Sequence, residues 1–468
     1  MFVVEERNER GKTVRTCLEG STIKSTQIDR TSNELTRRVY AMDFLSKVFL
    51  PSGYPNSVSP DYLHYQVLNA LQAFCNSLAG LLSSRAILQG FGVGNPNASA
   101  TKALLLTVLQ DVFGRLTTIL SAHFFGSSLY PEAKTYRLLA DVLNDIAVVL
   151  DTLSPLFIAV PIPGLRVASL CLSAIFKSLC GISAGGSKAA LTMHFATPLQ
   201  GKGDVGDLNA KDASKETVLA LFGMLLGTLI VPYLTTSWAT YSALFILVGL
   251  HLGINYLGVR GLHLRTLNRQ RASIAWLLYR DSKHKDLTPS TVAGLERIFD
   301  RPGYIRDLHS HRPIGQCTIG SSFSKFIRPH PCPTEIIDFF SKERYILWFD
   351  GNCLSSPRSL RQQGLVRLHI FLKEKYTNED QFRAWIHAVE VCKDVASGRG
   401  DTGSDGDLDA LRTIQNAFEK VSVLQKDFLR VLESAHWITS ESMILNGAPD
   451  SIITLVDKTG NRETKKTR

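Results

Sequence analysis

Between Lys134 and Thr152 the polar residues are spaced as one edge of a helix. At about 100° per residue Lys134, Arg137, Asp141, Asn144, Asp145, Asp151 and Thr152 fall within an arc of roughly 120°, and the positions between them are mostly Leu, Ala, Val and Ile. On a soluble domain such a stripe is simply a solvated face. In a bilayer it is a row of costly acids, which at that depth mark a substrate or ion path or pair with bases on neighbouring helices. From Gly164 to Ala196 the charged residues are all basic, Arg166, Lys177 and Lys188, set among Ser, Gly and Ala that allow close helix packing. Lys177 or Lys188 against Asp141 or Asp145 is therefore the expected pairing. Asp111 and Arg115, four residues apart in the apolar segment from Ala103 to Phe125, are expected to neutralise each other. Ser187, beside Lys188, completes the set of candidate site residues.

Other motifs carry less. Gly90-Phe-Gly92-Val-Gly94 lacks a third glycine at the offset a dinucleotide loop needs, and its βαβ setting, and Gly181 to Lys188 resembles a P-loop with its Lys and Ser transposed. His309, His311, Cys317, His330 and Cys332 offer metal-type ligands, but among four prolines and without the tighter spacing of zinc modules. No nucleophile triad or paired acids stand out, so a hydrolase is not expected, and the residues identify no cofactor.

The elements that would hold the stripe are membrane-like. Between Glu216 and Arg260 there are 43 residues without Asp, Glu, Lys or Arg, split at Pro232 and Thr235-Thr236-Ser237 into two apolar halves. The first half, Val218 to Leu234, is about 26 Å long as a helix at ~1.5 Å per residue, close to the ~30 Å hydrocarbon core, and the second is similar, which reads as a membrane hairpin. Gly223 with Gly227 and Gly249 with Gly253 give it small-xxx-small spacings. Arg260, Arg265, Arg269, Arg271, Arg280, Lys283 and Lys285 follow it, read here as a basic loop on the cytoplasmic side. Tyr62 to Ser84 is also free of charge but carries His64, Gln66, Asn69, Gln72 and Asn76, and reads as an interfacial or packed helix.

Around this core lie softer elements. Residues 1–39 form an N-terminal extension with a β-hairpin pattern at Phe2 to Val4 and Thr13 to Arg15. It has the form of neither a secretory signal nor a transit peptide. Residues 276–468 read as a soluble α+β domain. Its strands are expected at Gln316 to Ile319, Tyr345 to Phe349, Val366 to Leu372 and Ile452 to Val456, and its helices at Thr334 to Phe340, Asn378 to Val395 and Leu408 to Glu433. A flexible linker is expected over 397–406. The fold class is mainly α: a polytopic helical membrane bundle over 40–275, then this small domain. The eight scattered cysteines suit reduced thiols inside a cell. A net charge of +10 lacks the interleaved aromatics of a nucleic-acid surface, so membrane lipid is the expected partner and nucleic acid is not.

Five ordered blocks carry a resemblance. Phe49 to Tyr62, Arg137 to Asp145, Gly185 to Phe195, Asn209 to Thr217 and Leu250 to Arg260 are similar to the root UV-B sensitive (RUS) family, with the likeness running from about residue 40 to 275 and thinning beyond. The resemblance implies a eukaryotic membrane-associated protein linked in plants to UV-B responses, vitamin B6 homeostasis and auxin-related growth. It carries no settled reaction and, without a plastid extension here, no plastid location; an endoplasmic reticulum or mitochondrial membrane is left open. The expected function is to move or sense a small charged metabolite such as a B6 vitamer, with Asp141 and Asp145 acting with Lys177 or Lys188. Two alternatives stay open: a membrane-anchored scaffold whose soluble half binds a protein partner, without transport, and a pyridoxal-phosphate protein with Lys188 as its aldimine. A homo- or hetero-oligomer of family members is a further expected partner.

Overall fold

The computed structural model describes residues 2–7, 13–19, 22–27, 44–94, 96, 98–199, 201–282, 287–328, 332–350, 365–398 and 406–455. Most of the expected 397–406 linker, His330 and the basic tail lie outside them. The chain divides into two units, residues 1–119 with 138–261, and residues 120–137 with 262–468.

The first unit opens with β1 (Phe2–Arg7), β2 (Thr13–Glu19) and β3 (Thr22–Gln27), an antiparallel meander with Phe2 opposite Leu18 and Cys17 opposite Lys24. Six long helices follow: α1 (Tyr62–Gly90), α2 (Ala100–Phe125), α3 (Ala133–Leu153), α4 (Leu165–Phe195), α5 (Val205–Ile230) and α6 (Ser237–Arg260). Of these, α2, α4, α5 with the turn that follows it, and α6 are long and apolar enough to cross a membrane. Asp204 caps α5 by accepting from the Gly206 and Asp207 amides, and Thr236 caps α6 by accepting from Ala239. Pro232 lies in the 3-10 turn between them, where it breaks the helix.

The charge-free helix beginning at Tyr62, expected to be interfacial or packed, is the hub. Buried on α1 are Tyr62, Gln66, Asn69, Gln72 and Ser83, while Leu63, Val67, Leu71 and Leu88 face outward at 44–52% exposure. A helix in a soluble domain does the reverse. Along α5, likewise, Asp212, Gly223 and Gly227 are buried, and Leu221, Phe222, Leu225 and Leu229 are exposed.

Two glycines let α5 approach α1. A Cβ at Gly223 would lie 2.9 Å from Ser77 Cβ and 3.0 Å from the Phe74 carbonyl, and one at Gly227 would overlap Leu81. Gly249 and Gly253 on α6 have nothing within 4 Å of the corresponding position, so only the first small-xxx-small pair packs inside this unit. Gly223→Leu is expected to cost about 1–3 kcal/mol through overpacking, whereas Gly253→Leu stays near neutral. Thermal midpoints of the purified chain measure both, and equal shifts would refute the assignment of the close approach.

The second unit is built on a mixed sheet. Strand β6 (Pro313–Ile319) runs parallel to β8 (Val366–Lys373), β7 (Tyr345–Phe349) lies antiparallel on the other edge of β8, and β5 (Tyr304–Arg306) and β10 (Ile452–Ile453) extend it. Across these strands pack α11 (Asn378–Ala396) and α12 (Gly406–Ser434), with α7 (Arg269–Ser282), α8 (Pro289–Leu295), α9 (Phe323–Ile327) and α10 (Thr334–Phe339) around them. Trp276, Trp385, Phe371 and Phe428 are among the largest fully buried side chains. A second pair, β4 (Thr266–Asn268) with β9 (Ile438–Met443), is parallel.

Among the described residues, most of the basic segment after α6 is a helix, Arg269–Ser282, rather than a loop. Arg271, 2% exposed, meets Glu296 and the Thr266 carbonyl; Arg280 meets the fully buried Glu390; Arg269 donates to the Ile444 carbonyl. These arginines hold the second unit together and are not available to a membrane surface.

The segment 120–137 belongs to this unit as well. Asn268 Nδ2 donates to the Pro131 carbonyl and to Glu132, and Lys134 Nζ lies 2.6 Å from Glu296.

Candidate functional site

Every buried polar residue of α1 meets a partner from another helix, and the meetings are stacked in order along it. At the start, Asp61 accepts from Ser59 Oγ at 2.6 Å and lies 3.0 Å from His194 Nε2 on α4, both side chains being 5% exposed. One step on, Tyr62 Oη donates to Asp212 at 2.9 Å and accepts from Lys215 Nζ at 2.7 Å, while Gln66 Nε2 donates to the other Asp212 oxygen at 2.7 Å. Lys215 itself is 2.9 Å from Asp212. Asn69 then donates to Glu216 at 2.8 Å, the carboxylate that also meets Lys188 at 3.3 Å.

The next layers involve the α3 stripe. Gln72 and Asn255 on α6 both donate to Asp141 Oδ2, Asn255 at 2.5 Å. Asn144 donates to Asn76 at 2.8 Å, and Asp145 Oδ2 lies 2.8 Å from His251 Nδ1. Last, Asp151, fully buried, meets Lys177 Nζ at 2.5 Å and accepts from Ser83 at 3.4 Å. From residue 61 to 83 this column is about 33 Å long at ~1.5 Å per residue, close to the thickness of a bilayer core.

Physical chemistry explains the stacking. Buried amides and carboxylates must be paired, and a carboxylate among N–H donors loses less on leaving water than one alone. Two column atoms, Gln66 Oε1 and Asp151 Oδ1, are buried with no hydrogen-bond partner among the described residues, so the column holds acceptors that a water or a polar ligand would satisfy.

The expected lysine pairings are corrected. Lys177 goes to Asp151 and Lys188 to Glu216, while Asp141 and Asp145 take amide and imidazole partners. Lysine carries its charge along a four-carbon stem, so its reach and not its face decides the partner. Ser187 is fully buried but returns its hydroxyl to the Ser183 carbonyl at 2.6 Å, within its own helix. The Gly181 to Lys188 stretch is inside α4, where its amides are used by the helix, so it cannot cradle a phosphate. Asp111 and Arg115 are exposed on α2 and form no ion pair with each other among the described residues. Arg137 falls in the 120–137 segment of the other unit. Of the metal-type set, Cys317 is fully buried in β6 whereas His309 and His311 are exposed; among the described residues no three ligand-type side chains are placed to hold a metal.

Sequence reading missed His251, Asn255, Asp212, His194 and Asp61. The signal was present: His251 and Asn255 are four apart in an apolar helix, and Gln66, Asn69, Gln72 and Asn76 recur every three or four residues. Counting formal charge alone passes over both.

A family model, the vitamin B6 photo-protection and homoeostasis domain, matches residues 36–283. That stretch is more than half of the chain and contains the whole column. The chain belongs to the root UV-B sensitive, or RUS, family. Among RUS relatives, RUS family member 1 of Dictyostelium discoideum is 35% identical over 278 residues, 59% of this chain and 51% of that protein. Protein root UVB sensitive 3 of Arabidopsis thaliana is 34% identical over 57% of each chain, and the chloroplastic protein root UVB sensitive 2 of the same plant is 25% identical over 85% of this chain and 82% of its own length. The chain therefore spans about half the length of the first two RUS relatives. No solved structure matches.

Proposed function

We propose that this RUS-family chain is an integral membrane protein whose polar column moves or senses a small charged metabolite, a vitamin B6 vitamer in keeping with the family's description. The observation that carries the reading is the inverted burial of α1, α5 and α6: amides, carboxylates and His251 inside, Leu, Phe and Ile outside. Water makes that arrangement costly and lipid makes it favourable. The tip of the α5–α6 hairpin adds support. There Tyr233 and Trp238 are 85% and 83% exposed, the amphipathic aromatics that settle at a membrane interface. Arg85 donates to the carbonyls of Val231 and Leu234 in that turn at 2.9 and 3.0 Å, which ties the tip to the far end of α1.

Carbonate extraction tests the placement, and release of the chain into the wash would overturn it. Protease protection reports which side holds the end beyond Arg260, which we place in the cytoplasm. Labelled pyridoxine uptake into proteoliposomes tests the function, with loss expected for Asp141→Asn. The second reading is a membrane-anchored scaffold in which the column only fastens the bundle. It is favoured by the number of column carboxylates already met by protein donors. Absence of uptake by the native chain, with normal cellular complementation by Asp141→Asn, is the result that would select it.

A further inference from the structure

We propose that the His251–Asp145 pair is a proton-binding site and that a proton is the ion coupled to movement through the column; the coupling rests on the transport reading, the proton site does not. His251 is the one imidazole in the 43 residues between Glu216 and Arg260. Its side chain is 3% exposed, Asp145's is 4% exposed, and Nδ1 lies 2.8 Å from Oδ2. An ionised carboxylate only accepts, so Nδ1 carries the hydrogen and Nε2 is the nitrogen that takes up or releases a proton.

The neighbouring charges make this pair the adjustable one. Lys177, Lys188 and Lys215 are matched to Asp151, Glu216 and Asp212, each an ammonium-bearing side chain beside an acid. Asp145's counter-ion is present only when His251 is protonated. Facing the pair are Cys75, Gln72 and Asn76 from α1, Asp141 and Asn144 from α3, and Asn255 from α6; Lys177 of α4 is held by Asp151. Of these, Asp141 adds negative charge and favours the imidazolium. The step is simple in its balance: one proton leaves bulk water, an N–H bond forms at Nε2, and the pair passes from a net charge of −1 to 0. In a medium of low dielectric that unit of charge weighs heavily on how closely α6 sits against α3.

The same chemistry recurs at the opposite end. Asp61 and His194, both 5% exposed, are 3.0 Å apart, and along α1 they are about 22 Å from Asn76, the level of Asp145. A column with an Asp–His pair toward each end suits a proton taken up at one face and delivered toward the other.

The test uses the full chain. In nanodiscs with 15N-labelled histidine, the imidazole signal that is missing from His251→Gln is expected to pass from the neutral to the protonated form as the pH is lowered, and to do so less readily in Asp145→Asn. A His251 signal that keeps one form wherever the chain stays folded overturns the proton site. In proteoliposomes a one-unit pH gradient can drive up to about tenfold accumulation of labelled pyridoxine per proton. The native chain should respond to it and His251→Gln should not. Uptake that ignores the gradient in the native chain overturns the coupling, while titration without any uptake overturns only the transport reading. His251→Asn serves as the second variant should the glutamine form fail to fold.

Discussion

Glu296→Gln is expected to destabilise the second unit by about 3–5 kcal/mol, the cost of removing the acid from a buried ion pair and leaving its cations behind. Lys134 and Arg271 both reach Glu296, at 2.6 and 3.1 Å, and the three side chains are between 2% and 5% exposed. Burial pushes the Glu296 carboxyl up, but Lys134 and Arg271 together pull it below its ordinary value. Its contribution is therefore present above the unfolded carboxylate's pKa and is lost as pH falls through the depressed folded value. Glutamine keeps the shape and removes the charge. Four of the five tryptophans, Trp276, Trp348, Trp385 and Trp437, lie in this unit, so denaturant unfolding followed by their fluorescence reports on it. A loss below about 1 kcal/mol, the range of an exposed pair, would sink the argument. Lys134→Met in the Glu296→Gln background should recover part of the loss by removing one stranded cation.

The second large effect is one of pH. His387 of α11 is fully buried, its Nδ1 is 3.1 Å from Tyr345 Oη and its Nε2 is 2.9 Å from the Ile414 carbonyl. That arrangement uses the neutral ring, with the tyrosine donating to Nδ1 and Nε2–H donating to the carbonyl. Burial pushes the pKa down to about 4, a displacement that the Ile414 hydrogen bond opposes and Arg383 reinforces. Below an ordinary value near 6.5 the unfolded state takes a proton that the folded state refuses, so stability is present at pH 7 and drains away from about 6.5 to 4. The loss is about 3 kcal/mol over that window. Unfolding free energies at pH 7 and pH 4 should differ by about that much less in His387→Gln, whose amide can serve both partners. Parallel curves for the two chains would show that the ring titrates normally.

How much of this was readable beforehand depended on whether the signal was local. The α5–α6 hairpin was legible because a long run without charge is a property of one segment, and the α3 stripe because periodicity belongs to one helix. The strands Tyr345 to Phe349 and Val366 to Leu372 were legible as short β-branched and aromatic runs. Pairings were not legible. Asp61 finds His194 across 133 residues and Asp145 finds His251 across 106, and no spacing within one helix encodes which neighbour it will meet. The helix Arg269–Ser282 was missed for a different reason: its arginines suggested a topology signal, whereas Trp276 and Arg271 are buried and the helix is part of a core.

The strap of residues 120–137 sets a schedule for synthesis. Lys134 leaves the ribosome 162 positions ahead of Glu296, the acid it will pair with. At ~5–20 residues per second that interval is roughly 10–30 s. During it Lys134, Glu132 and the Pro131 carbonyl have none of the partners that Asn268, Arg271 and Glu296 will bring. Helices α2 and α3 are complete by then, so a chaperone has a defined eighteen-residue segment to shield. A chain stopped after Arg260 would keep that exposed segment permanently, which makes clean separation of the helical half by truncation a poor experiment and full-length expression the sound one.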